Sequence, residues 1–237
     1  MSYTDMIAQY GIGSAHPGGF IKSKTLLHSL HLHSNSRVLD CGCGTGQTAA
    51  YVKKQFACKV DACDLHPVML DKAKARFEKE NLDIALLEAR AENLPYEDDC
   101  FHLLLSESVT SFTSIEKSLN EYWRVLKPGG ILCMNEIMAW TPLRPSEEQE
   151  LRQAYGFSRL LGDTEWVKVL QASRFQEVTL DSSMSAAELQ QDLEDKGGDM
   201  TPSEIIPPSH LAIMNQHQQL SVKYKDKIGH GLFLAKK

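Results

Sequence analysis

Val38-Leu39-Asp40-Cys41-Gly42-Cys43-Gly44-Thr45-Gly46 decides how this chain folds. An apolar run short enough for a buried strand enters a turn with glycine at alternate positions. A helical pattern from Gly46 to Phe56 follows. Glycine suits such a turn because it adopts positive φ freely and lets a ligand approach the backbone. Standing alone, the turn is weak evidence, because the same glycines also serve to pack a helix on a strand. A second feature makes it specific. The next apolar run, Cys58 to Leu65, ends in Asp61-Ala62-Cys63-Asp64-Leu65. Asp64 follows Gly46 by 18 positions, close to where dinucleotide-type folds place the acid that accepts from ribose hydroxyls. Asp61 is the competitor, but Asp64 lies at the strand's C-terminal end.

Outward from this unit, strands and amphipathic helices alternate, the pattern of an α/β protein with a mostly parallel sheet. Helices are expected over Ile21–Leu32, Pro67–Glu80 and Ile115–Leu126, the last stopped by Lys127-Pro128-Gly129-Gly130. Strands are expected over Asp83–Glu88, Phe101–Ser106 and Gly130–Ile137. Later come helices over Ser146–Leu161 and Thr164–Ser173 and strands over Phe175–Leu180 and Gly231–Ala235. Residues 1–20 read as irregular and glycine-rich. Residues 182–226 read as polar and helix-prone. The stretches 138–162 and 182–226 exceed what connections need, so they are expected to cap a substrate pocket.

The whole chain, 237 residues with 42% hydrophobic and 24% charged, fits one globular domain. Its net charge of -6 makes a nucleic-acid partner unlikely on electrostatic grounds. No window has the length of a membrane span, and Met1–Tyr10 lacks the basic start of a signal peptide. A cytoplasmic location is expected. The six cysteines, Cys41, Cys43, Cys58, Cys63, Cys100 and Cys133, form no C-x-x-C pair. They read as small buried hydrophobes in a reducing compartment. No metal site is expected.

Four motifs in order resemble the class I S-adenosylmethionine-dependent methyltransferases, in particular the small-molecule branch with the ubiquinone and menaquinone enzymes. They are Asp40 to Gly46, Asp64-Leu65-His66-Pro67-Val68-Met69-Leu70, Ala91-Glu92-Asn93-Leu94-Pro95-Tyr96, and Tyr122-Trp123-Arg124-Val125-Leu126-Lys127-Pro128-Gly129-Gly130. The resemblance implies a Rossmann-like three-layer sandwich. Its seven-stranded sheet would be mostly parallel, with an antiparallel last strand and helical cap insertions. Residues 1–30 would form a lid and residues 31–137 the cofactor-binding core. It implies S-adenosylmethionine as cofactor, with Gly42, Cys43, Gly44 and Gly46 against its amino-acid part and Asp40 near its ammonium group. Asp64 would take the ribose, Leu65 would flank the adenine, Ala91 and Glu92 would lie at the adenine edge, and Ser106 would adjoin the cofactor. The family often has an acid where this chain has Arg90, and arginine cannot accept from the adenine amine.

For chemistry, the segment Tyr10 to Phe20 offers His16 as first candidate for a base or substrate contact, with Tyr10 beside it. Glu107, after the fourth strand, is a second catalytic candidate. Trp140, Tyr155 and His210 are substrate candidates in the expected cap. The Asn-Pro-Pro-Tyr motif of nucleic-acid amino-group methyltransferases is absent, which favours a small-molecule acceptor. The alternatives are an RNA- or protein-modifying methyltransferase, a relative that binds cofactor without turnover, and a nicotinamide-dependent oxidoreductase.

Overall fold

A computed structural model describes residues 2–13, 19–186 and 199–237. The decisive stretch forms strand β1 (Arg37–Cys41), the glycine turn and helix α3 (Gln47–Phe56). Before them lie α1 (Tyr3–Tyr10) and α2 (Gly19–Ser29). After them come β2 (Lys59–Asp64), α4 (Pro67–Lys79), β3 (Ala85–Glu88), β4 (Phe101–Glu107), a single 3-10 turn (Thr110–Phe112) and α5 (Ile115–Val125). The rest is β5 (Leu126–Ala139), α6 (Pro145–Tyr155), α7 (Asp163–Ala172), β6 (Gln176–Ser185), α8 (Pro208–Lys223) and β7 (Ile228–Lys236).

The seven strands make one sheet in the order β3-β2-β1-β4-β5-β7-β6. The pairings among β1 to β5 are parallel, while β7 runs antiparallel to both neighbours, β5 and β6. This is the Rossmann-like sheet with an antiparallel last strand that the motifs imply. Strand order reverses between β1 and β2 on one side and β4 on the other. Ligands of open α/β sheets bind in the crevice outside the strands' C-terminal ends at such a switch point.

Side-chain alternation builds the layers. On β4, Leu104 points into a cluster with Leu119, Tyr122 and Trp166, while Leu103 and Leu105 point into a cluster with Val52, Ala73 and Phe77. Helix α5 shows the logic. Ile115, Ser118, Leu119, Tyr122 and Val125 are buried at helical spacing, and each large apolar side chain so buried contributes about 1.5–3 kcal/mol. A third cluster, with Leu151, Tyr155, Phe157, Leu220, Tyr224 and Ile228, joins α6 and α8 above the sheet edge.

Several expected boundaries differ. Residues 3–10, expected irregular, are helical. Ser2 Oγ accepts from the Asp5 backbone N–H at 3.1 Å and the Ser2 N–H donates to the Asp5 carboxylate at 2.6 Å, a reciprocal cap. Helix α6 stops at Tyr155, not Leu161, because Gly156 takes the left-handed conformation at φ 85° and ends it. Strand pairing of β5 starts at Leu126, and Lys127–Gly130 bulge outward before register resumes at Ile131. Strand β6 extends to Ser185, so the start of the expected 182–226 insertion belongs to the sheet.

Candidate active site

The C-terminal ends of β1, β2 and β4 form the floor of a cleft of about 1230 Å³. The glycine turn makes one wall, and its three glycines are required for different reasons. At Gly46 (φ 74°) a Cβ would stand 2.7 Å from the Phe77 ring, so this glycine lets α3 pack on α4. At Gly42 (φ 78°) a Cβ would meet the Val109 side chain at 2.2 Å, so this one admits the loop after β4. At Gly44 (φ 54°) a Cβ would meet nothing within 4 Å. Gly44 lines the cleft and keeps its backbone open to a ligand.

Three carboxylates surround this turn. Asp40 is 3% exposed, and its Oδ2 has no hydrogen-bond partner among the described residues. Burial, then the nearby Glu107 charge, holds its carboxyl well above the usual range, against one bond from the Ala49 backbone. Asp64 accepts from the Gly44 N–H at 2.9 Å and from the His66 N–H at 2.8 Å. Burial raises its pKa as well. Glu107 accepts from Ser23 Oγ at 2.5 Å and Thr48 Oγ1 at 3.0 Å, which ties β4 to α2 and α3.

The cleft also receives Cys43, Leu65, Ala91 and Glu92. Leu65 is 48% exposed there. Glu92 accepts from the Ser114 N–H at 3.1 Å, and Arg90, largely exposed, stands 3.9 Å from Glu92 at the rim. Thus Asp40, Gly42, Cys43, Gly44, Asp64, Leu65, Ala91, Glu92 and Glu107 converge on one surface.

Others do not. Ser106 is fully buried beneath it, 2.9 Å from Thr110 Oγ1 and 3.3 Å from the Tyr122 hydroxyl. Gly46 serves helix packing, as above. Tyr10, Trp140 and His210 lie outside the lining. Trp140 is 38% exposed, and His210 is buried near the start of α8. His16 falls outside the described residues.

Tyr155 does line the cleft, in company the sequence did not suggest. Its ring stands edge-on to Tyr3 of α1 at 4.9 Å and stacks on Phe157 at 5.2 Å. Its hydroxyl lies 3.0 Å from His217 Nδ1 on α8. Phe112, from the turn after β4, stacks on Tyr3 at 6.5 Å. Burial pushes the Tyr3 and Tyr155 hydroxyls up and the His217 imidazole down. Helix α1 links both ends of the cleft: Tyr3 faces this aromatic group, and Asp5 reaches His66 Nε2 at 3.3 Å. Backbone bonds from Gly13 to Asp199 and between Gly11 and Thr201 tie the segment after α1 to a second segment. Arg76 and Lys72 of α4 hold that second segment by contacts with Asp199 and Thr201.

Glu136, toward the C-terminal end of β5, organises the loop between β4 and α5. Fully buried, it accepts from the N–H groups of Val109, Thr110 and Ser111 and from Ser111 Oγ. The sequence signal for it was a lone acid inside an apolar strand run. Ser108, just before this loop, takes φ 58° without being glycine and lines the cleft.

Comparison with known proteins adds the decisive observation. The chain is 38% identical over 236 residues to YodH, an uncharacterized methyltransferase of Bacillus subtilis, with 99% of each chain covered. It belongs to the class I, S-adenosylmethionine-dependent methyltransferases. A methyltransferase domain family model matches residues 38–130, the span from β1 to the Pro-Gly-Gly bulge. The chain is also 33% identical over 119 residues to a demethylmenaquinone methyltransferase of Chlorobaculum tepidum, which covers 50% of this chain and 48% of that protein. Among solved structures, a phosphoethanolamine N-methyltransferase of Haemonchus contortus, in complex with phosphomonomethylethanolamine and S-adenosylhomocysteine, superposes with a TM-score of 0.76. It covers 94% of this chain and 53% of its own at 19% identity, a likeness of fold.

Proposed function

We propose that this methyltransferase acts on a small-molecule acceptor, and that the cleft at the ends of β1, β2 and β4 holds both cofactor and acceptor. The observation that carries the cofactor placement is Asp40. A buried carboxylate oxygen with no partner among the described residues is costly unless a cationic or donor group meets it. The amino group of S-adenosylmethionine has that chemistry. Asp40 and the Gly44 backbone would take the amino-acid end, Asp64 the ribose and Leu65 the adenine face. When bound, S-adenosylmethionine supplies a methyl carbon on a sulfonium centre, open to in-line displacement.

The chain's own groups then have three tasks. The glycine turn and Asp40 fix one end of the cofactor. The loop held by Glu136 shapes the side next to the acceptor, where positioning supplies much of the rate. Helix α1 covers the cleft through Tyr3 and Asp5 and limits water access. Helix α1, residues 3–10, therefore acts as a cover in this reading.

Size and polarity support a small acceptor. A pocket for one drug-sized ligand measures about 300–1,000 Å³, and the cleft's 1230 Å³ leaves space beside a cofactor. Methyl-labelled S-adenosylmethionine, incubated with the protein and a fractionated cell extract, tests the acceptor class. Label in the low-molecular-weight fraction is expected. Label confined to RNA or protein would overturn the reading.

A further inference from the structure

The aromatic end of the cleft is built from elements far apart in sequence, and its polar side chains, Tyr155, His217, Gln218, Ser221 and Thr113, include no lysine or arginine. Tyr3, Phe112, Tyr155, Phe157 and His217 come from α1, the turn after β4, α6, the segment following α6, and α8. This end is continuous with the cofactor end. Gly42 abuts Val109, Val109 lies three residues before Phe112, and Phe112 stacks on Tyr3.

Its charge inventory is selective. Among the described residues lining the cleft, the one guanidinium or ammonium group is Arg90, which sits at the Glu92 rim beside the expected adenine edge. A phosphate or carboxylate on the acceptor would find no lysine or arginine among the described residues at the aromatic end, and burying it unpaired would be costly. Aromatic rings favour another ring in an offset or edge-on arrangement. The polar pair His217 and Tyr155, 3.0 Å apart, is placed to meet one hydroxyl. Burial keeps the imidazole neutral near neutral pH, so one ring nitrogen retains a lone pair.

Resting on the small-molecule methyltransferase reading, we propose that this chamber is the acceptor subsite for an uncharged hydroxyaromatic compound, and that His217 receives the proton of its hydroxyl. With Nδ1–H donated to Tyr155 Oη, Nε2 is the accepting atom. The acceptor oxygen forms the new bond to the methyl carbon as the carbon–sulfur bond breaks, with that electron pair staying on sulfur. The hydroxyl proton passes to Nε2 and is then released to solvent. The sulfonium's positive charge leaves as that proton, so charge and atoms balance. His217 acts as the general base, and Tyr155 is a positioning residue that holds the imidazole through Nδ1.

The test uses 4-nitrophenol as probe, because its visible absorption reports how far its hydroxyl proton has moved. Protein saturated with S-adenosylhomocysteine is titrated with 4-nitrophenol, O-phosphoethanolamine and benzylamine. The phenol is expected to bind at least tenfold more tightly than either alternative, with absorption shifted toward the ionised form. His217→Gln should remove that spectral shift while leaving S-adenosylhomocysteine affinity unchanged. Tyr155→Phe, which keeps the ring, should weaken the shift without abolishing binding. Preferred binding of the phosphate or the ammonium compound overturns the substrate class. An undiminished shift in His217→Gln overturns the proton-acceptor role. Failure of the wild type to bind S-adenosylhomocysteine is a separate result and overturns the methyltransferase site itself.

Discussion

Asp40→Asn should move two measurements in opposite directions. The wild-type carboxyl is buried, faces Glu107 and Asp64, and leaves Oδ2 without a partner among the described residues. The amide cannot ionise and keeps an oxygen for the Ala49 N–H. Relief of a buried uncompensated group contributes on the order of 1 kcal/mol. For a chain of this size, that raises the melting temperature by about 2–4 °C. In the cofactor complex the sign reverses. A hydrogen bond to a charged partner contributes roughly 1.5–3 kcal/mol, and each 1.4 kcal/mol is tenfold in affinity. The variant should therefore bind S-adenosylmethionine about 10- to 150-fold more weakly. Calorimetry for binding and differential scanning for the ligand-free protein suffice. An affinity within twofold of wild type, or a ligand-free protein that melts well below wild type, would refute the assignment of Asp40 to the cofactor's amino group.

The glycine turn yields a paired prediction. Gly46→Ala drives a methyl into Phe77 and adds left-handed strain, costing about 2–4 kcal/mol in denaturant unfolding. Gly44→Ala carries only the strain, about 1–2 kcal/mol, yet should lose most affinity for S-adenosylhomocysteine. Equal stability losses in the two variants would contradict the division of labour. Glu136→Gln places an amide where the Val109–Ser111 donors now converge. It should lower stability by about 2–3 kcal/mol and accelerate hydrogen exchange at residues 109–111. Unchanged exchange there would remove Glu136 as the loop's anchor. Glu147, held by Arg144 and by Lys227 at 2.8 Å, has its pKa pulled down to about 2. Its unfolded value lies near 4.3, so its contribution is complete above that pH and disappears as pH falls toward 2. Glu147→Gln should flatten the acid limb of a stability-against-pH curve between those values; an unaltered limb would show the tie to be irrelevant.

Legibility in the sequence followed the range of the interactions involved. β1, the glycine turn and Asp64 are local, so spacing and residue type placed them. The part of the cleft around Asp40, Gly44, Asp64 and Glu92 was legible for the same reason: its residues cluster in three short motifs. Helix α1 left a readable mark in Ser2 and Asp5, but the glycines after it dominated the reading of the segment. The end of α6 was marked by Gly156, which the longer apolar pattern to Leu161 obscured. At the aromatic end only Tyr155 was legible. Tyr3 meets Tyr155 and His217 only because β7 turns back beside β5 and brings α8 over α6, contacts that no local pattern encodes. Tyr155 was singled out as a residue, but its partner His217 was not. Glu136 was hidden for a related reason, since its partners come from the loop after a different strand.

Calorimetric titration of the full chain with S-adenosylhomocysteine, using NAD as the control ligand, tests the central claim most directly. Saturable one-to-one binding of S-adenosylhomocysteine, with none of NAD, is the predicted result. Binding of NAD alone, or of neither ligand, would contradict the assignment of this cleft to methyl transfer.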